Sequence, residues 1–133
     1  MDFALTDDQQ HLRDMFARFC DERIKPRAQE IDEAGEFPHE LFAELAKLGL
    51  FGLRYPESLG GVGFGLLSFC LAIEEIARGS LSLAALASMQ SVMGTHFLYA
   101  YGNEDIHERL LKPAIRGQKI GAICITEPDA GSD

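Results

Sequence analysis

Positive charge is scarce in this sequence. Its 133 residues include 12 lysines and arginines against 21 aspartates and glutamates, which gives a formal net charge of −9 at pH 7. The phosphates of nucleic acids and the headgroups of anionic lipids attract basic surfaces and repel acidic ones. The charge balance therefore argues against DNA, RNA or an anionic membrane as the main partner.

Cysteine is also rare, and its three positions form no recognisable pair. Cys20, Cys70 and Cys124 each lie in an apolar run, and their spacing fits neither a disulfide framework nor a zinc site. We expect three buried free thiols in a reducing compartment. His96 stands in a largely apolar segment and has no cysteine or second histidine at ligand spacing, so we predict no metal site.

A targeting or membrane-spanning segment is not evident. The first residues carry neither a basic and apolar signal nor an Arg-rich transit pattern. We therefore expect a cytoplasmic protein, or a mitochondrial-matrix protein if the chain is a mature eukaryotic one. Residues 79–103 contain no Asp, Glu, Lys or Arg, but serines, Gln90, Thr95 and His96 interrupt the run. This favours a helix buried among other helices over a membrane span.

The hydrophobic content, 47% of residues, is enough for the core of one ordinary domain. Up to Gly117, apolar residues recur with the 3.6-residue period of amphipathic helices, as in Leu12, Met15, Phe16, Phe19 and Cys20. Thr6 opens the first helix with a capping box, and Pro26 and Pro113 should kink or interrupt theirs. We therefore predict an all-α fold, a bundle of packed helices.

A different pattern follows the predicted bundle. Residues Ile120–Thr126 are apolar, often β-branched and uncharged, which is typical of a buried strand. Pro128 and Gly131 then mark a turn that is first stiff and then permissive. Such a turn can be an ordinary surface turn. It can also offer backbone N–H groups and hydroxyls to a planar ligand.

Two other features suggest chemistry but have simpler interpretations. The glycines of residues 50–65 do not follow a strand with dinucleotide-binding spacing, and the Gly-Lys-Ser/Thr of a phosphate loop is absent. We interpret this stretch as a loop between helices. Glu74 and Glu75 are adjacent on a predicted helix and point in different directions, so we interpret them as solvated or ion-paired.

Two strings of residues resemble the acyl-CoA dehydrogenase family. Residues 126–133 read Thr-Glu-Pro-Asp-Ala-Gly-Ser-Asp, which is similar to the family signature Thr-Glu-Pro-Gly-Ala-Gly-Ser-Asp and departs from it at Asp129. Residues 56–63, Pro-Glu-x-x-Gly-Gly-x-Gly, are similar to the family's loop between early helices. The likeness covers essentially the whole chain. It implies that residues 1–118 are the helical N-terminal domain and that residues 119–133 begin the middle β domain with its first strand and turn.

The resemblance implies an FAD-dependent oxidoreductase of fatty acid metabolism. Enzymes of the family oxidise an acyl-CoA thioester to the 2,3-enoyl-CoA: a carboxylate removes the α-proton, and the β-hydrogen leaves as hydride to the flavin. The resemblance also implies an electron-transfer flavoprotein as the electron acceptor and a homotetrameric assembly.

The resemblance also implies roles for individual positions. The flavin of the family lies against the positions of Ile123, Cys124, Ile125, Thr126 and Ser132. Ile125 would donate its backbone N–H, and Thr126 its hydroxyl and N–H, to the pyrimidine edge. The position of Ser132 also faces the CoA portion of the substrate. The small-residue helix Ala84–Ser88 corresponds to the wall of the acyl pocket, so both of its end residues are substrate-binding candidates.

No carboxylate of this chain inherits the catalytic role. In the family the base is a glutamate of a later helical domain, and Glu127 has a structural place in the motif. Residues 1–133 alone are therefore expected to be an inactive part of a longer enzyme. Two alternatives stay open. One is a non-catalytic helical interaction domain or truncated partner subunit, and the other is an acyl-CoA oxidase of the same fold.

Overall fold

The computed structural model describes residues 3–131, and its regular elements there are helices. The predicted all-α fold is confirmed. The helices run in chain order α1 Asp7–Phe19, α2 Ala28–Ala34, α3 His39–Lys47, α4 Gly65–Ala77, α5 Leu81–Ser88, α6 Gly94–Tyr101, α7 Glu104–Ile106 and α8 Lys112–Ile115. Short 3-10 turns occupy Lys25–Arg27, Leu50–Gly52 and Glu57–Leu59.

Three π turns join successive helices into longer rods. They lie at Cys20–Ile24, Met89–Met93 and His107–Leu111. The first and third each come just before a proline, Pro26 and Pro113. A proline has no N–H and its ring displaces the carbonyl of the preceding turn, so the helix widens there instead of continuing regularly. The interruptions predicted at both prolines are confirmed in this form.

The core lies between α1, α4 and α5, which pack against one another in that order, and α3 adds the buried Leu41, Phe42 and Leu45. The predicted stripe of the first helix faces it: Leu12, Phe16 and Cys20 are buried, and partly buried Met15 and Phe19 pack at its edge. Full burial of one such side chain contributes about 1.5–3 kcal/mol. This apolar surface, rather than helix propensity, therefore holds the rods together.

Local signals set the helix ends. The Thr6 hydroxyl accepts the Gln9 N–H while the Gln9 side chain accepts the Thr6 N–H, so the predicted capping box is formed. Gly35 ends α2 with φ of 62°, a left-handed conformation that favours glycine. Asn103 caps α7 through the Ile106 N–H.

Ion pairs connect the first rod to its neighbours at the surface. The guanidinium of Arg23 contacts both carboxylate oxygens of Glu44 at 2.5 and 3.0 Å, and Arg78 lies 3.0 Å from Asp21. The hydrogen bond from Arg78, and a second one from Lys25, hold the pKa of Asp21 below its ordinary value. These pairs are exposed and screened, so they orient the rods more than they stabilise them.

The glycine-rich stretch is a folded connection between helices, as interpreted from the sequence. Its backbone turns back on itself: the Val62 N–H donates to the Gly52 carbonyl, and the Gly63 N–H donates to the Tyr55 carbonyl. A Cβ built on Gly61 would lie 2.1 Å from the Tyr55 carbonyl oxygen. Glycine at 61 is therefore required by a close approach of two backbone segments.

The strand predicted at Ile120–Thr126 is wrong for this chain taken alone. Over the described residues, the C-terminal segment forms one isolated β-bridge, between Glu127 and Ala130, and no strand. A strand needs a neighbour to satisfy its backbone groups, and residues 3–131 supply none alongside this segment. The assignment of residues 119–133 to a β domain stays a prediction.

The three cysteines are free, as predicted, but only one of them is buried. Cys20 lies in the core, while Cys70 and Cys124 are exposed. The prediction of burial was wrong for Cys70 because it lies on the outward face of α4, and for Cys124 because its segment has no covering layer. Across residues 3–131 no helix has the length and apolar character needed to cross a bilayer.

Replacing Gly61 by alanine should destabilise the protein by about 3 kcal/mol, because the new methyl group would overlap a backbone carbonyl that cannot move independently. The free energy of unfolding in urea is the measurement. Gly63→Ala is the matched control: its φ is 74° but its Cβ would meet open space, so we expect a loss of about 1 kcal/mol. Equal losses in the two variants would contradict this account of Gly61.

Candidate functional site

The C-terminal segment, residues 118–131, crosses the rod formed by α5, the Met89–Met93 turn and α6. The crossing is a direct contact of two backbones. A Cβ built on Gly94 would lie 2.7 Å from the Gly121 carbonyl carbon, and one built on Gly121 would lie 3.0 Å from that of Gly94. A side chain at either position would push the segment away from the helix.

The side chain of Gln90 holds the segment at this crossing. It is 1% exposed, and its Nε2 donates to the carbonyls of Ala114 and Lys119, both at 2.9 Å. Its Oε1 accepts the Gly121 N–H at 2.7 Å. One buried amide thus bonds the end of α8 and two points of the following segment. Sequence reasoning missed this residue, although a lone glutamine in a charge-free helix was a signal for it.

A buried polar cluster supports the same turn of the helix. The Tyr55 hydroxyl lies 2.7 Å from the Ser91 carbonyl and 2.6 Å from Thr95 Oγ1, and Thr95 Oγ1 also lies 2.8 Å from the Gln90 carbonyl. Burial raises the pKa of Tyr55, which therefore stays protonated as a donor at neutral pH. These hydroxyls thus provide hydrogen bonds to the carbonyls of Gln90 and Ser91, two buried residues of the π turn.

Beyond Gly121 the segment becomes open to solvent. Of the predicted cofactor-binding residues, Ile123 is half-buried, whereas Cys124, Ile125 and Thr126 are exposed, with Ile125 at 67%. Within the described part of the chain, neither the Ile125 N–H nor the Thr126 hydroxyl has a hydrogen-bond partner. Both donors are therefore free to meet a ligand. Ser132 lies outside the described residues.

The segment then closes into a tight turn. The Glu127 N–H donates to the Ala130 carbonyl at 2.8 Å, and the Ala130 N–H donates to the Glu127 carbonyl at 3.3 Å. Pro128 and Asp129 form the tip. The stiff polar turn predicted from the sequence is present, and Glu127 contributes its backbone to it, in keeping with the structural place predicted for that residue.

The two predicted substrate-binding residues face different surroundings. Ala84 is 3% exposed and belongs to the bundle core, while Ser88 is half-buried. The outward face of the rod is a continuous apolar stripe that sequence reasoning missed. Its members, spaced four residues apart, are Leu81, Ala85, Met89, Met93, Phe97 and Tyr101. The four-residue spacing was the available signal, because it places side chains along one helix face.

A separate cavity of about 360 Å³ lies near the other end of α5. Its lining includes Ile31, Phe37, Leu83 and Leu86, but neither Ala84 nor Ser88. The cavity is therefore not the acyl pocket predicted from the small-residue helix.

His96 contacts a side chain of the glycine-rich stretch. Its Nδ1 lies 3.2 Å from Arg54 Nη2, and because a guanidinium can donate but not accept, Nδ1 is the acceptor. Among residues 3–131 no group of histidine, cysteine, aspartate and glutamate side chains could hold a metal ion. Glu75 pairs with Arg78 at 2.8 Å, which agrees with the ion-paired interpretation.

Enlarging the two candidate pocket residues should give different results. Ala84→Phe should lower the free energy of unfolding by about 1–3 kcal/mol because it overpacks the core, and it should slow every substrate alike in the complete protein. Ser88→Phe should cost less stability and shorten the preferred acyl chain. Urea denaturation and rates across a series of acyl chain lengths are the measurements. A chain-length shift in Ala84→Phe with unchanged stability would contradict this assignment.

Comparison with known proteins agrees with the sequence motifs. The family profile "Acyl-CoA dehydrogenase, N-terminal domain" matches residues 6–118. The benzylmalonyl-CoA dehydrogenase of Aromatoleum aromaticum is 64% identical over 133 residues, which are 100% of this chain and 35% of that protein.

Two solved structures share the fold. A glutaryl-coenzyme A dehydrogenase in complex with glutaryl-CoA superposes with a TM-score of 0.92 at 36% identity, covering 100% of this chain and 34% of that one. A glutaryl-CoA dehydrogenase from Mycobacterium smegmatis in complex with FADH2 gives 0.89 at 29% identity, covering 97% and 33%.

The chain therefore spans about a third of the length of the relatives it matches. Its match to the family profile includes all eight helices, and the exposed segment follows directly after the matched residues. By this match over most of its length, the chain belongs to the acyl-CoA dehydrogenase family and carries that family's N-terminal domain.

Proposed function

We propose that this chain is the N-terminal part of an FAD-dependent acyl-CoA dehydrogenase, which oxidises an acyl-CoA thioester to the 2,3-enoyl-CoA. The observation that carries the proposal is the exposed segment after Gly121, in a chain of this family, with hydrogen-bond donors that no described residue occupies. In the sequence, residues 126–133 resemble the family signature.

The donor set of this segment suits the flavin of FAD. The Ile125 N–H and the Thr126 N–H and hydroxyl would face the pyrimidine edge of the ring, where hydrogen-bond donors stabilise negative charge. When bound, the flavin supplies the hydride-accepting chemistry, and the protein supplies position and electrostatics. The FADH2 complex of a structural relative supports this choice of cofactor. Ile123 and Cys124 would lie along the same surface.

The substrate we propose is a CoA thioester. The glutaryl-CoA complex of a structural relative supports this class, and the 64% identical relative makes benzylmalonyl-CoA the first substrate to test. Ser132 would face the CoA portion, and Ser88 would lie at the wall of the acyl pocket. Ala84, which is buried in the core, would shape that wall from behind.

Proton abstraction would be performed outside this chain. Glu127 is exposed and is held in the turn by its own backbone bonds. The α-proton of the substrate would therefore go to a carboxylate of the remaining protein. We further propose an electron-transfer flavoprotein as the acceptor of the electrons and a homotetrameric assembly, both as features of the family.

The apolar stripe on the outward face of α5 and α6 favours a second candidate, a helical interaction domain without cofactor. Six aligned apolar positions form a surface that another protein segment could cover. The two candidates differ in one direct measurement. The complete protein, purified and incubated with benzylmalonyl-CoA, should show a flavin spectrum that bleaches under anaerobic conditions. A complete protein without flavin would exclude the dehydrogenase and retain the interaction domain.

Thr126→Val should weaken the flavin site, because it keeps the shape of the side chain and removes the hydroxyl. We expect the complete enzyme to lose about 1–3 kcal/mol of flavin-related stabilisation, since a buried flavin acceptor would be left unpaired. Flavin affinity and reduction potential are the measurements, with Thr126→Ser as the control that restores the hydroxyl. Unaltered affinity, potential and turnover in Thr126→Val would contradict this role.

Residues 1–133 alone should bind FAD weakly or not at all and should be catalytically inert. Among residues 3–131 no strand supports the segment that would contact the flavin, and no carboxylate of residues 1–133 matches the family's base. The purified chain, mixed with FAD and acyl-CoA, is followed by flavin absorbance and enoyl-CoA formation. A yellow protein that bleaches with substrate would contradict this prediction, because residues 1–133 would then be sufficient for flavin binding and substrate oxidation.

A further inference from the structure

We infer that Gln90 is a positioning residue of the cofactor site, through its three hydrogen bonds to Ala114, Lys119 and Gly121. The inference rests on the proposed function for its consequence, because it concerns the segment that would contact the flavin. Gln90 itself would not touch flavin or substrate. It would act by fixing where the segment leaves the helical bundle.

The amide of Gln90 matches its three partners in a way that few side chains can reproduce. Both hydrogens of Nε2 are used on carbonyl oxygens, and Oε1 is used on an N–H. Rotating the amide by half a turn would set its hydrogens against the Gly121 N–H and its oxygen against two carbonyls. The network therefore fixes one orientation of the side chain, and that orientation fixes the segment.

The three bonds act at the point where support for the segment ends. Gly121 is half-buried against Gly94, and the residues after Ile123 are exposed. In the described part of the chain, the Gly121 N–H is the last backbone donor before Glu127 to have a hydrogen-bond partner. The direction in which Ile125 and Thr126 leave the bundle is therefore set at Gly121.

Gln90 also connects the two proposed sites. It lies two residues after Ser88, on the same rod, and next to Met89 of the apolar stripe. A shift of this rod on substrate binding would move the Gln90 amide, and with it the Gly121 backbone. The same rod would thus connect Ser88, at the wall of the acyl pocket, to the cofactor-binding segment through residues that are close in sequence.

The test compares four forms of the complete protein: wild type, Gln90→Leu, Ser91→Ala and Leu83→Ala. Gln90→Leu keeps the volume and removes all three bonds. Ser91→Ala is the matched polar control, because its buried hydroxyl has no hydrogen-bond partner among the described residues. Leu83→Ala is the matched control for stability, because it opens a cavity in the core on the same helix without contacting the segment.

Two readouts separate positioning from general destabilisation. Hydrogen exchange at the Gly121 amide reports the bond itself, and flavin affinity with the visible flavin spectrum reports its consequence. For Gln90→Leu we expect loss of exchange protection at Gly121 and a roughly 10- to 100-fold weaker flavin affinity or lower kcat/KM, as small misplacements cause. Ser91→Ala should change neither readout. Leu83→Ala should lower the melting temperature while keeping Gly121 protected.

Gln90→Glu adds a pH-dependent test. The ionised carboxylate can accept the Gly121 N–H but cannot donate to the two carbonyls, whereas the protonated acid regains one donor. Burial raises a carboxyl pKa, so mildly acidic pH should partly restore Gly121 protection and flavin affinity relative to Ser91→Ala.

The outcomes distinguish this inference from the proposed function. Normal flavin affinity and spectrum in Gln90→Leu, or equal losses in Leu83→Ala at matched melting temperature, would overturn the positioning role. A wild-type protein without flavin would overturn the proposed function and the consequence assigned to Gln90. In that case, exchange at Gly121 would still decide whether the amide holds the segment.

Discussion

The π turn at Met89–Met93 is the constraint on which the C-terminal part of the structure depends. It closes with a bond from the Gly94 N–H to the Met89 carbonyl, one residue longer than the bonds of a regular α-helix. The Thr95 hydroxyl lies 2.8 Å from the Gln90 carbonyl and 3.1 Å from the Ser91 carbonyl. The Tyr55 hydroxyl lies 2.7 Å from the Ser91 carbonyl and 2.6 Å from the Thr95 hydroxyl. The hydroxyls of Thr95 and Tyr55 thus give these buried carbonyls partners, whereas the buried Ser91 hydroxyl of the same turn has none among the described residues.

Features that depend on local chemistry could be predicted from the sequence. The Thr6 cap, the Gly35 ending and the apolar stripe of α1 involve residues within a turn or two of one another. Features that depend on distant partners could not. The segment Ile120–Thr126 has strand-like composition, yet it forms no strand because its hydrogen-bonding neighbours are not among the described residues. The π turn at Met89–Met93 could not be predicted either, because no proline follows it closely.

The candidate site divides in the same way. The signature-like string at the turn could be recognised because its residue types follow one another directly in the chain. The direction of Ala84 could not, because the alanines and leucines of α5 are spread around the helix and give no periodic indication of its inner face. Gln90 was missed for a related reason. Its three partners lie 24 to 31 residues away, so its role exists only after α8 and the final segment have folded against the rod.

Two parts of the rod of α5 and α6 have separate physical roles: its inner face packs in the core, and its polar turn holds the open segment. Its inner face, with Leu83, Ala84 and Ala87, is held by close packing in the core, where displacement is costly. Its polar turn then holds the Gly121 backbone by direct contact and hydrogen bonds. The rigid core thus fixes where the segment lies, although the segment itself contributes almost nothing to that core. The bundle itself therefore positions the segment that we propose to contact the cofactor.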